Sequence, residues 1–237
     1  MTKTAKPFKF KKFTIEHDKC AMKVGFDGAL IGVWAKHKKP ENILDIGTGS
    51  GLISLILRQR FPKAKIHAIE PNSNAVIQAK INFSNSPFEK EIELHKTKLQ
   101  AFSPDEKFDL ILSNPPFFTE DKGSNDSDRN EARQEKFLPI QELMDGIKTL
   151  LNKSGKFLLI YPTWETERVV KSVESLNLFI SIQTVIHSRI DKPSKRTIFE
   201  IQQEPCNKQT QTFISGNQDV GYTNEYKKLM TDFYTIF

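Results

Sequence analysis

From residue 41 onward, short apolar runs alternate with stretches of helical spacing, and that alternation limits the fold more than any other feature. NILDI (42–46) reads as a buried strand closed by a glycine turn, and Leu52, Leu55, Ile56 and Phe61 then recur at helical spacing. Further strands are predicted over 65–69, 92–95, 108–112 and 156–161, with helices over 74–83, 139–151 and 165–176. Pro139 suits a helix start, where its missing N–H costs nothing. Two last strands, 179–187 and 197–203, are joined by a loop too short for a parallel crossover, so they pair antiparallel. The expected fold is α/β: a doubly wound, mostly parallel seven-stranded sheet closed by an antiparallel C-terminal hairpin. The main domain is expected over 40–206, with a basic extension (1–39) packed on it. A C-terminal segment (207–237) carrying a short helix over 224–233 belongs to the same domain.

Two motifs sit where such a sheet places its ligands, at the carboxyl ends of strands. DIGTGSG (45–51) joins the first strand to the first helix, and its Gly47, Gly49 and Gly51 let backbone approach a ligand closely. Glu70 ends the next strand, where a carboxylate accepts hydrogen bonds from ribose hydroxyls, and Asp45 is suited to a cationic amine. Together they point to a nucleoside-containing cofactor in a Rossmann-like fold. A glycine turn used for packing and a solvated strand end are the plain alternatives.

The second motif is ILSNPPFF (111–118). Its two prolines stop the strand, since neither donates to a ladder. The Asn114 side-chain oxygen and the Pro115 carbonyl are two acceptors for one planar amine, and Phe117 is a surface for the ring that carries it. Phe118 reads as core or lid packing. The polar stretch 119–135, with six acids and three basic residues and no periodicity, reads as a long loop or lid; if the chain acts on RNA, this loop with Arg133 is expected to fold over the substrate.

Net charge is +6, and it is concentrated: residues 1–39 hold ten lysines against three acids. In FKFKKF (8–13), Lys9, Lys11 and Lys12 alternate with phenylalanines. That pattern suits a nucleic-acid backbone with bases stacking on the rings, and equally an edge strand with its rings turned inward. Cys20 and Cys206 stand far apart outside any metal-binding spacing, as free thiols of a reducing cytoplasm do. No metal site and no membrane span is expected, and the start of the chain lacks the apolar run of a secretory signal.

DIGTGSG, Glu70 and SNPPFF together resemble class I S-adenosylmethionine-dependent methyltransferases acting on exocyclic or amide nitrogens. FTIEHDKCAMKVGFDGALIGVWA (13–35), EAR (131–133) and YTNEYKKLMTDFY (222–234) narrow the resemblance to bacterial tRNA1(Val) adenine-N6 methyltransferases, over nearly the whole chain. The resemblance implies S-adenosylmethionine as cofactor, lined by Asp45, Gly47, Gly49, Gly51 and Glu70, with Lys23, Gly25 and Asp27 closing over it. It implies Asn114, Pro115 and Phe117 at the target base and a tRNA anticodon loop as partner of a monomer, the target being the adenosine 3′ of the anticodon. The chain departs from that family at Phe117, where many members have tyrosine, at Lys98, where they carry an acid near the cofactor adenine, and at Phe26, where they have a smaller polar residue. Ribosomal RNA guanine-amine methylation, protein glutamine methylation, an RNA-binding module with a degenerate cofactor site and an NAD enzyme are the competing readings.

Overall fold

The computed structural model describes residues 6–20, 23–88, 92–116, 138–217 and 221–237. Phe117, Phe118, Arg133 and the predicted 119–135 loop lie outside the described residues. In chain order the elements are β1 (Phe8–Lys9), β2 (Thr14–Ile15), α1 (Phe26–Trp34), β3 (Asn42–Ile46), α2 (Leu52–Arg60), β4 (Lys65–Ile69), α3 (Ser73–Ser84) and β5 (Ile92–His95). There follow β6 (Phe108–Ser113), α4 (Ile140–Leu150), β7 (Leu151–Pro162), α5 (Thr166–Ser175), β8 (Phe179–His187), β9 (Arg196–Gln202), β10 (Gln209–Ile214) and α6 (Asn224–Met230).

All seven predicted strands pair in one sheet, in the order β10-β8-β9-β7-β6-β3-β4-β5. β9 runs antiparallel to both its neighbours, and the remaining pairs are parallel. An eighth strand, β10, corrects the expected count. Its sequence QTQTFI is mostly exposed on the sheet edge, so it carries no apolar run to announce it. α1 also goes beyond the sequence reading: Gly28 to Trp34 are all buried, and a helix apolar all round shows no amphipathic period.

Successive residues of the central strands face opposite cores. Ile43, Leu110, Leu112 and Leu158 pack under α1, α2 and α6, whereas Leu44, Ile111, Phe157 and Leu159 pack under α4 and α5. Burial on both faces explains why these strands read as continuous apolar runs. Strand order reverses at β3, which has β4 on one side and β6 on the other. The crevice between the carboxyl ends of β3 and β6 is therefore the switch point where such sheets bind ligands.

The ends of the chain pack on each other. Phe10 and Phe13 stack at 4.7 Å in the core, and Phe10 bridges to Tyr234. In FKFKKF two of the three rings thus face inward, as the edge-strand reading has it, while Lys9, Lys11 and Lys12 stay exposed. No helix among the described residues is long and apolar enough to cross a membrane.

Candidate active site

The register of β3 with β6 brings the two motifs together. Ile46 pairs with Ser113, and the Ser113 hydroxyl donates to the Ile46 carbonyl at 3.1 Å. Gly47 and Asn114 consequently leave adjacent strands side by side. On the β4 side, Gly47 N and Thr48 N both donate to the Ile69 carbonyl, at 2.9 and 3.1 Å. The loop is thus tied down along its first turn. Gly47, Gly49 and Gly51 have φ of 71°, 56° and 84°, a left-handed region that side chains rarely adopt. At Gly51 a Cβ would lie 2.4 Å from Phe83 Cε1, so space and conformation both demand glycine.

Two carboxylates brace this loop. Asp45 is fully buried beneath it, and its Oδ2 accepts from Thr48 Oγ1 (2.6 Å) and Ser54 Oγ (2.7 Å). Burial raises its carboxyl to about 6, against the opposing pull of those hydrogen bonds. Its Oδ1 is buried with no hydrogen-bond partner. Glu70 crosses from β4: Oε2 accepts from Gly49 N (3.0 Å) and Oε1 from Asn72 N (2.9 Å). Burial shifts Glu70 upward as well, partly offset by those two backbone donors. A Cβ on Gly47 would meet nothing within 4 Å, and one on Gly49 only the Gly47 carbonyl at 3.9 Å. Open space over bare backbone, a carboxylate with lone pairs to spare and an orphaned buried oxygen fit a ligand that combines hydroxyl and amine donors.

Opposite the loop, Pro115 is buried and Asn114 half-buried. A Cβ on Gly28 would stand 3.6 Å from Asn114 Nδ2, so the first turn of α1 lies against that edge of the amide. Oδ1 is left on the other edge.

The family described as Methyltransferase small domain matches residues 28–164. A tRNA1(Val) (adenine(37)-N6)-methyltransferase of Parabacteroides distasonis is 38% identical over 230 residues, covering 96% of this chain and 97% of that protein. The chain belongs to the tRNA1(Val) (adenine(37)-N6)-methyltransferase family. Relatives of that name from Phocaeicola vulgatus and Vibrio parahaemolyticus are 39% and 35% identical, each covering at least 95% of both chains. In fold, the chain resembles a "predicted O-methyltransferase" from Agrobacterium tumefaciens, with a TM-score of 0.71 at 17% identity over 87% of this chain and 96% of that one. It also resembles a glycopeptide N-methyltransferase solved with S-adenosylmethionine, with a TM-score of 0.55 at 12% identity, covering 75% of this chain and 94% of that one.

In this family member, Asp45, Gly47, Gly49, Gly51, Glu70, Asn114 and Pro115 converge on one crevice. Lys23 and Asp27 stand at its N-terminal margin, each engaged within the protein. Lys23 Nζ donates to the His17 carbonyl at 2.9 Å, and Arg196 Nε donates to Asp27 Oδ2 at 2.5 Å. Lys98 is exposed at the start of a 3-10 turn. Lys11 and Lys12 line a groove of about 830 Å³ with Arg60, at the far end of α2 from Gly51. Lys11 Nζ there donates to the carbonyls of Thr231 and Phe237, at 2.6 and 2.7 Å.

Several contributors escaped the sequence reading. Asn82 Nδ2 donates to the carbonyls of Ser50 (2.7 Å) and Glu16 (2.8 Å), and its Oδ1 accepts from Glu16 N, fastening the N-terminal strap to the glycine loop. Gln78 Oε1 accepts from Lys19 N farther along the strap. Burial, with the Glu70 charge second, raises the strap's Cys20 thiol to about 11. Asn82 and Gln78 are the polar positions of a helix whose other buried residues are apolar, which is the only signal a sequence offers for them.

Proposed function

We propose that this chain transfers a methyl group from S-adenosylmethionine to the exocyclic N6 of an adenine in tRNA, the adenosine 3′ of the anticodon in a valine tRNA. The pairing of Ile46 with Ser113 carries this reading, because it sets the strand end bearing Asn114 and Pro115 beside the glycine loop. S-adenosylmethionine supplies an activated methyl on a sulfonium. Glu70 would hold its ribose hydroxyls, and the backbone of Gly47 and Gly49 would run against it. Asp45 would position that loop through Thr48 and Ser54 and offer its unpartnered Oδ1 to the amine.

Asn114 Oδ1 and the Pro115 carbonyl would each accept a hydrogen bond from the target amine. Two acceptors fix the plane of the nitrogen and aim its lone pair, which lowers the barrier by orientation. The donor would supply the methyl, a carbon–nitrogen bond forming as its carbon–sulfur bond breaks, and the amine proton would pass to solvent. Phe117 would stack on the base, which must leave the loop's stack to reach the cleft, at low cost in an unpaired anticodon loop.

The RNA would meet two basic surfaces. Exposed Lys192 and Lys195 lie in the β8–β9 loop, at the Asn114 end of the sheet. Lys9, Lys11 and Lys12 lie on the N-terminal hairpin, and Arg133 in the segment after NPPF. A monomer in the cytoplasm, where tRNA is found, completes the proposal. Its test is methylation of a tRNA pool by the purified chain, with the modified nucleoside identified and mapped. N6-methyladenosine beside the valine anticodon is the expected product, and N2-methylguanosine or no product would refute it.

A further inference from the structure

At the edge of the sheet, β4 and β5 bring together three side chains that no step above uses. His67 and Glu93 are register partners across the two strands, and His95 lies two residues beyond Glu93 on the same face. His67 Nδ1 is 3.0 Å from His95 Nε2, and Glu93 Oε2 lies 3.5 Å from the first and 3.9 Å from the second. Only one hydrogen fits between the two imidazoles when both are neutral. The carboxylate then faces a pair with no further hydrogen on those atoms. A cation at the centre would satisfy all three at once.

We infer that His67, Glu93 and His95 form a binding site for a divalent transition metal of the zinc class, stapling the edge strand β5 to β4. The distances fit. Tetrahedral zinc, bonded to nitrogen and oxygen at about 2.0–2.2 Å, holds its ligand atoms about 3.3–3.6 Å apart. Closing the observed triangle onto that figure takes shifts of a few tenths of an ångström. Two imidazoles and one carboxylate are also the donor set that zinc takes while keeping a fourth position open, and Glu93, half-exposed, leaves that position toward water.

The surroundings support a held site. His67 is buried, so its ring has little room to turn away from the other two groups. Phe102 and Phe108 pack on the rings at centroid distances of 5.2 Å (Phe102 to His95) and 5.4 Å (Phe108 to His67), which restrains their rotation. Lys65 is the competing cation, with Nζ 3.7 Å from Glu93 Oε1. It has Glu106 at 3.6 Å as a second partner, so Glu93 can turn to a metal without stranding it.

The experiment strips the full chain with a chelator and titrates it with Zn²⁺, reading stoichiometry by calorimetry and the unfolding midpoint by thermal melt. One Zn²⁺ per chain is expected, with the midpoint about 5–10 °C higher at a hundredfold excess over Kd. Co²⁺ should give the visible absorption of a four-coordinate ion, and Mg²⁺ should leave the melt unchanged. His95→Ala should abolish the shift and weaken Zn²⁺ by more than the roughly 10–100-fold typical of losing even an outer partner. Glu93→Gln, a conservative change at a half-exposed position, should weaken it in the same sense while the chain still folds. Absence of a stoichiometric Zn²⁺ in the wild type, or an undiminished shift in both variants, would overturn the assignment.

Discussion

The two sides of the cleft are braced to different degrees: the glycine loop by a network of buried side chains added to its backbone bonds, the Asn114 turn by strand pairing, one serine hydroxyl and its prolines. Asp45, Thr48 and Ser54 form a buried hydrogen-bonded trio under the loop, and Glu70 joins it from the neighbouring strand. Across from them, Asn114 is positioned by strand pairing through Ser113 and by two prolines that fix φ. The difference teaches which changes travel. A substitution on the loop side disturbs a network and is felt in folding and cofactor binding. One at Asn114 removes an acceptor from a frame that stands without it.

The largest expected effect is therefore on turnover. Asn114→Ala should lower the single-turnover rate of tRNA methylation by about 10²–10³-fold, the scale for one preorganised transition-state contact. Its unfolding midpoint should stay within a degree or two of wild type. A comparable loss of stability would break the comparison.

Next comes the buried carboxylate. The Asp45 carboxyl is raised to about 6 in the fold and returns to about 4 on unfolding. Its favourable contribution is thus complete below pH 4 and lost as pH rises through 6. Measured against Asp45→Asn, the ligand-free wild type should lose about 3 kcal/mol of stability over that window. Chemical denaturation at pH 4, 5, 6 and 7 reads it, and parallel curves for the two proteins would show that the carboxyl is not held out of water. Gly51→Ala should cost about 1–3 kcal/mol at any pH, from its left-handed backbone and the clash with Phe83.

Smallest are the effects at the two basic surfaces. Lys192→Glu with Lys195→Glu should raise the KM for tRNA about tenfold and flatten its salt dependence. Lys9→Glu with Lys12→Glu, on the hairpin at the far end of α2, should raise it only about threefold. The reverse order would move the RNA to the N-terminal strip.

Much of this architecture was legible in the sequence because its central strands are buried on both faces. Runs such as NILDI and LLIY, punctuated by glycine or proline, have no other reading at that length. What escaped did so for physical reasons. β10 is an exposed polar edge whose partner, β8, supplies the apolar face. α1 is buried all round and so has no period, and β7 starts with no loop after α4, with polar Asn152, Lys153 and Ser154 following its first residue. In the site, the motif residues were readable because glycine, proline and acid stand at strand ends. Asn82 and Gln78 were not, since their partners are backbone groups distant in the chain, 32 residues away at Ser50 and 59 or more on the strap. The trio His67, Glu93 and His95 was hidden likewise, because strand register and not local spacing assembles it.

The division of labour across the cleft is tested most directly by S-adenosylmethionine calorimetry on Asn114→Ala and Glu70→Ala side by side. Wild-type Kd for the first and a Kd at least about tenfold weaker for the second, the loss of roughly 1.4 kcal/mol of hydrogen bonding, is the expected result. Equal weakening in both variants would contradict it.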